Sequence, residues 1–197
     1  MIEGLAESLG GTGLAPQHVA HHMGRFERTF ESMKPWLPAQ VENFLDIGCG
    51  LGGVAIHVAR HYPGAVAHLI DGAGEIGKWT SYREDGKPWA DVRVAVRLFR
   101  KHCPAAEVLA HPPLDSAVVP PCELVYSNCS WGHHYPIDTY LGLAGRVLKP
   151  GGRLIVDLRL GRVGEYGAAQ LEAHGFTLVW TIAAEGKKYA RTVWERE

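Results

Sequence analysis

The chain has 197 residues, 46% of them apolar and 21% charged, with a formal net charge of −1. A chain of that length is most simply one domain that buries its core without staples, and the neutral balance offers no global field to nucleic acid or to an anionic membrane. No apolar run approaches the roughly 18 residues of a membrane span, the first residues carry neither a basic start nor an apolar signal core, and the expected location is the cytoplasm.

In chain order, residues 4–16 hold four glycines and Pro16 and read as a loosely docked lead. From Pro16 to Met33, Val19, Met23, Phe26 and Phe30 recur at helical spacing. His18, His21, His22 and Arg25 lie on its other faces, either solvated or roofing a site. A short apolar run, Asn43-Phe44-Leu45-Asp46-Ile47, then meets Gly48, Gly50 and Gly53 before a helical stretch to Tyr62. Strand, tight turn and helix N-terminus bring backbone close to a ligand. The spacing G-x-G-x-x-G alone is a weak sign of a nucleoside-bearing cofactor. Asp46 sharpens it, because a carboxylate beside the turn would repel a pyrophosphate and welcome a cationic amino group.

Ala65 to Asp71 is apolar enough for a buried parallel strand. Asp71 closes it, where a carboxylate can accept both hydroxyls of a ribose; the plainer alternative is a turn aspartate beside Gly72 and Gly74. Residues 72–88 are turn-rich, and Trp79, Tyr82 and Trp89 there and just beyond are candidates for a substrate wall. Asp91 to His102 fits both periodicities, and the start and stop signals Pro88 and Arg100-Lys101-His102 decide for a helix. Ala106 to His111 is a third strand, broken by Pro112-Pro113. Glu123 to Ser127 is a fourth, followed by the densest polar and aromatic stretch, Asn128-Cys129-Ser130-Trp131-Gly132-His133-His134-Tyr135-Pro136. It lies past the carboxyl end of a central strand, where open α/β sheets place ligands. A helix from Pro136 to Val147, a strand from Arg153 to Leu158, a short helix from Gly167 to His174 and strands at Phe176–Ile182 and Tyr189–Glu195 complete the chain. Cysteines 49, 103, 122 and 129 have no zinc-finger spacing and are expected to be reduced thiols.

Leu45-Asp46-Ile47-Gly48-Cys49-Gly50-Leu51-Gly52 resembles the first motif of class I S-adenosylmethionine-dependent methyltransferases, and Lys149-Pro150-Gly151-Gly152-Arg153-Leu154 resembles that family's turn into its fifth strand. The likeness covers roughly Phe44 to Arg159. It implies a Rossmann-like α/β fold with a seven-stranded sheet, mostly parallel, closed by a C-terminal antiparallel hairpin. Residues 1–197 would form a single methyltransferase domain, with 1–40 as lead and lid helix and 41–197 as catalytic core. S-adenosyl-L-methionine is the implied cofactor. Asp46, Gly48, Cys49, Gly50, Asp71, Gly72, Asn128 and Cys129 are the implied residues around it, with Leu114 and Asp115 near the adenine and Arg25 a candidate for its carboxylate.

Methyl transfer to a hydroxyl needs an aligned acceptor and a base for its proton. Histidine titrates near neutrality, so His133 or His134 is the candidate base, one of them pointing into the pocket and one out. His22, Trp131 and Tyr135 are candidates to hold the acceptor, a small molecule rather than nucleic acid. The segment from Ser130 to Pro136 resembles bacterial sugar O-methyltransferases, which points to a sugar or natural-product hydroxyl. A small amine as acceptor, a nicotinamide-dependent reductase and a non-catalytic methyltransferase-like binding module are the competing readings. No metal site is expected: adjacent histidines lack ligand spacing, and no carboxylate precedes Asp138 in this segment. Oligomeric state is not readable.

Overall fold

The computed structural model describes residues 16–72, 90–111, 113, 118–183 and 187–197. In chain order the elements are α1 (Pro16–Met33), a 3-10 turn (Lys34–Trp36), β1 (Asn43–Ile47), α2 (Gly53–His61), β2 (Val66–Ile70), α3 (Val92–His102), β3 (Val108–His111), β4 (Cys122–Ser127), β5 (Ser130–Tyr135), α4 (Asp138–Val147), β6 (Leu148–Arg159), α5 (Arg162–Ala173), β7 (Phe176–Ala183) and β8 (Tyr189–Arg196). Seven of the strands form one sheet in the order β3-β2-β1-β4-β6-β8-β7. The pairs β1–β2, β1–β4, β2–β3 and β4–β6 are parallel, and β8 runs antiparallel to both β6 and β7. The Rossmann-like seven-stranded architecture is therefore as the sequence implies.

Helices cover both faces. On one, Phe44, Leu69, Tyr126 and Ile155 of the sheet pack against Met23, Phe26 and Phe30 of α1, Ile56 and Val58 of α2 and Leu98 and Phe99 of α3. On the other, Leu45, Ile47, Val125 and Leu154 meet α4 and α5 through Tyr140, Leu141, Leu143 and Leu171. Because side chains alternate along a strand, burying both faces requires near-continuous apolar runs, and β1, β2 and β4 read that way.

The largest departures from the sequence reading are two element starts and one added strand. α5 begins at Arg162, five residues before Gly167. Gly161 at φ 84° and Gly164 argue against helix by propensity, yet a Cβ on Gly164 would lie 1.8 Å from the Arg159 carbonyl oxygen, so the tight approach of α5 to β6 demands glycine. β6 begins at Leu148 and absorbs the Lys149-Pro150-Gly151-Gly152 turn. Residues 130–135 form strand β5 outside the main sheet.

Candidate functional site

The site is organised by the carboxyl ends of β1, β2, β4 and β6. The glycine turn after β1 is closed by its own chain. The Gly48 and Cys49 N–H groups donate to the Ile70 carbonyl at 2.8 and 3.1 Å, Gly50 N–H donates to the Asp71 carboxylate at 2.7 Å, and Gly52 N–H donates to the Cys49 carbonyl at 2.9 Å. These four donors are thus occupied, and what the turn offers is close approach together with acidity. Gly48, at φ +74°, has no space for a side chain: a Cβ there would lie 1.9 Å from the Ser130 hydroxyl, which itself bonds the Tyr135 hydroxyl at 3.0 Å. β5 therefore folds back over the turn.

Two acids flank it, Asp46 buried and Asp71 half-buried. Burial pushes the Asp46 carboxyl up to about 8; the nearby Tyr126 phenol offsets part of this and the Asp71 charge adds to it. Burial also raises Asp71 to about 6, opposed by the Gly50 and Gly72 N–H groups. Each Asp71 oxygen accepts one of these bonds, and a carboxylate has about four acceptor positions, so each oxygen keeps one for a ligand. Among the described residues, the buried Tyr126 hydroxyl and Asn128 side-chain oxygen make no regular hydrogen bond. Unsatisfied polar atoms at such a place are what a polar ligand would complete.

Across the β4–β6 boundary the chemistry changes. Asp157 on β6 is fully buried and takes two bonds from Arg191 of β8, Nε to Oδ1 at 2.8 Å and Nη2 to Oδ2 at 2.9 Å. Its Oδ2 also accepts the Cys129 N–H at 3.0 Å, holding Cys129 at φ 50°. Arg191 reaches on to the Thr29 carbonyl, at 3.3 Å, and to the Ser32 hydroxyl, and so clamps α1 onto the sheet. At its other side α1 lays the Phe26 ring against Gly53, where a Cβ would come within 2.1 Å of it. Burial, then the Asp157 charge, pushes the Cys129 thiol up to about 11, which makes it a hydrogen-bond donor to Asp157 and a poor nucleophile. His133 is buried, with its ring 4.5 Å from His134 and 5.4 Å from Tyr189. Burial pushes it down to about 4, and interactions with His134, Arg159, Arg25 and Lys188 push the same way. Its Nδ1 has no partner among the described residues.

No protein-family model matches the chain, and no curated protein matches it. Solved structures do. The chain is similar to a ribosomal protein L11 methylase from Lactobacillus delbrueckii subsp. bulgaricus, with TM-score 0.62 at 13% identity over 90% of this chain and 80% of that one. It is similar to a methyltransferase from Pyrococcus furiosus, with TM-score 0.60 at 12% identity over 86% and 81% of the two chains. An O-methyltransferase family protein from Burkholderia thailandensis gives TM-score 0.59 at 15% identity, over 87% of this chain and 58% of its own. The fold is that of the class I methyltransferases.

Within the methyltransferase fold, Asp46, Gly48, Cys49, Gly50, Asp71 and Gly72 come together around the turn, and Asn128 and Cys129 lie at the end of β4. Leu114, Asp115, Trp79, Tyr82 and Trp89 lie outside the described residues. His22 is buried on α1 and stacks on Phe26 at 5.8 Å. Trp131, a candidate to hold the acceptor, lies in the core: it is 0% exposed and its indole N–H donates to the Ile137 carbonyl. Tyr135 is tied to Ser130. The two histidines do not diverge as adjacent strand residues would, since Gly132 at φ 78° twists the segment and leaves the rings in contact. Sequence reasoning missed Ser130, Asp157, Arg159, Tyr189 and Arg191. Asp157 carried a signal, an acid inside the apolar run Leu154-Ile155-Val156-Asp157-Leu158, of the same kind that marked Asp46.

Proposed function

We propose that the protein is an S-adenosylmethionine-dependent methyltransferase that acts on a hydroxyl of a small molecule, a sugar or natural product. The observation that carries this reading is a pair of acids, the buried Asp46 and the half-buried Asp71, beside a glycine turn in which the Gly48, Cys49, Gly50 and Gly52 N–H groups are already occupied. A pyrophosphate would meet two carboxylates here and find those four N–H groups taken. It suits a nucleoside that carries positive charge. The free acceptor position on each Asp71 oxygen suits the two ribose hydroxyls, while Asp46 and the Asn128 side-chain oxygen suit an ammonium group. That cofactor, when bound, supplies an electrophilic methyl group on a sulfonium.

The chain's own work is to hold and deprotonate the acceptor. Burial keeps His133 neutral at physiological pH, so its imidazole is ready to take the hydroxyl proton, a contribution of roughly 10²- to 10⁴-fold. The Asp157–Arg191 clamp holds α1 over the end of β6. Titration calorimetry with S-adenosylhomocysteine and, separately, with NADH tests the assignment. Binding of the first and not the second is expected; the reverse would remove it.

A further inference from the structure

Three cations from separate stretches of the chain bear on His133 through their charge, and one of them touches it. Arg159, at the end of β6, donates Nη1 to the His133 carbonyl at 3.3 Å. Its register partner on β8 is Tyr189, whose ring lies 5.4 Å from the imidazole. Lys188 directly precedes Tyr189 and is held there by the Leu160 N–H, which donates to its carbonyl at 2.9 Å. Arg25 lies on α1, one turn before Thr29, and its charge acts on both Cys129 and His133. Among the described residues, none of these three cations has a carboxylate partner, whereas Arg93, Lys149, Arg153 and Arg191 each have one. The acid closest to hand, Asp157, is spent on Arg191 and Cys129. Like charges gathered without a counter-charge around a buried, unpartnered imidazole nitrogen oppose folding and attract an anion.

We infer that the acceptor is a hydroxylated carboxylic acid, its carboxylate held by Arg25, Arg159 and Lys188 so that its hydroxyl faces His133. This rests on the methyltransferase reading for the identity of the donor, but the anion site stands on its own residues. Arginine forks suit a planar carboxylate. The bound negative charge would also offset the cationic field that depresses His133 and make it a better base when substrate arrives.

The carboxylate of the cofactor is a second source of the same chemistry, and the experiment separates the two. Calorimetry would first measure S-adenosylhomocysteine and 5′-methylthioadenosine, which lacks the amino-acid part. It would then measure two acid and neutral pairs, D-glucuronate against D-glucose and 4-hydroxybenzoate against 4-hydroxybenzyl alcohol. At least one acid is expected to bind tenfold or more tighter than its neutral partner. In the double variant Arg25→Gln/Lys188→Gln that preference should fall below about threefold, with a melting temperature equal to or above the parent's, and Lys188→Gln alone should lower the preference at unchanged S-adenosylhomocysteine affinity. Equal binding within both pairs, no binding by either acid, or a preference that survives the double variant would overturn the inference. So would a double variant that weakens S-adenosylhomocysteine, spares methylthioadenosine and leaves the acid preference intact, because the cations would then serve the cofactor. Acid preference without any S-adenosylhomocysteine binding would keep the anion site and remove the methyltransferase reading; the opposite pattern would do the reverse.

Discussion

The two halves of the site are built with opposite charge. Around the glycine turn, Asp46 and Asp71 crowd together and burial lifts both carboxyls. Around His133, burial and the charges of Arg159, Arg25 and Lys188 depress the imidazole. Each half is thus uncomfortable in its own charge, and the discomfort has opposite sign. Preorganised charge without its counter-charge is characteristic of sites that await a ligand, and the contrast says which ligand belongs where: a cationic nucleoside on the acidic side, an anion on the basic side. The buried Asp157–Arg191 pair, internally compensated, stands between them as scaffold.

The largest expected effect breaks the acidic half. Two hydrogen bonds to a charged group are worth about 3–6 kcal/mol together, so Asp71→Ala should weaken S-adenosylhomocysteine binding by about 10²- to 10⁴-fold, and Asp115→Ala far less. Equal affinities in the two variants, measured by calorimetry, would remove the ribose assignment. The scaffold comes next. Arg191→Met or Asp157→Asn alone leaves one partner of a buried pair uncompensated and should cost about 3–5 kcal/mol, read by urea unfolding. The double variant should cost less than the sum of the two. In the basic half, His133→Gln should lower kcat by about 10²-fold or more, once an acceptor is in hand, while His134→Gln should change it less than tenfold. Comparable losses in both would show that the pair, rather than His133, takes the proton.

The smallest effect sharpens the contrast through pH. The Asp46 carboxyl moves from an ordinary 3.8 in the unfolded chain to about 8 in the folded one. Its contribution to stability is therefore fully present below the unfolded value and is lost as pH rises through the folded value. Asp46→Asn mimics the protonated form and should stabilise the protein at pH 9 by about 1–3 kcal/mol, with little gain at pH 4, while losing cofactor affinity. His133 works the other way. Its folded value of about 4 lies below an ordinary 6.5, so its contribution is present above 6.5 and is lost as pH falls toward 4. Denaturation curves that show no alkaline gain for Asp46→Asn would contradict the burial of that acid.

By itself the sequence determined the parallel strands, the glycine turn and the two acids at strand ends, because apolar runs, glycine spacing and turn residues act within a few positions of one another. Tertiary structure alone decided that Ser130 fills the space above Gly48, that Trp131 belongs to the core, and that α5 starts early against β6. It also decided the clamp from Arg191 to the Thr29 carbonyl, across 162 positions of chain, and the action of the Arg25, Arg159 and Lys188 charges on His133. Those contacts join residues that share no local pattern. Charge complementarity between distant strand ends exists only once the sheet has brought them side by side.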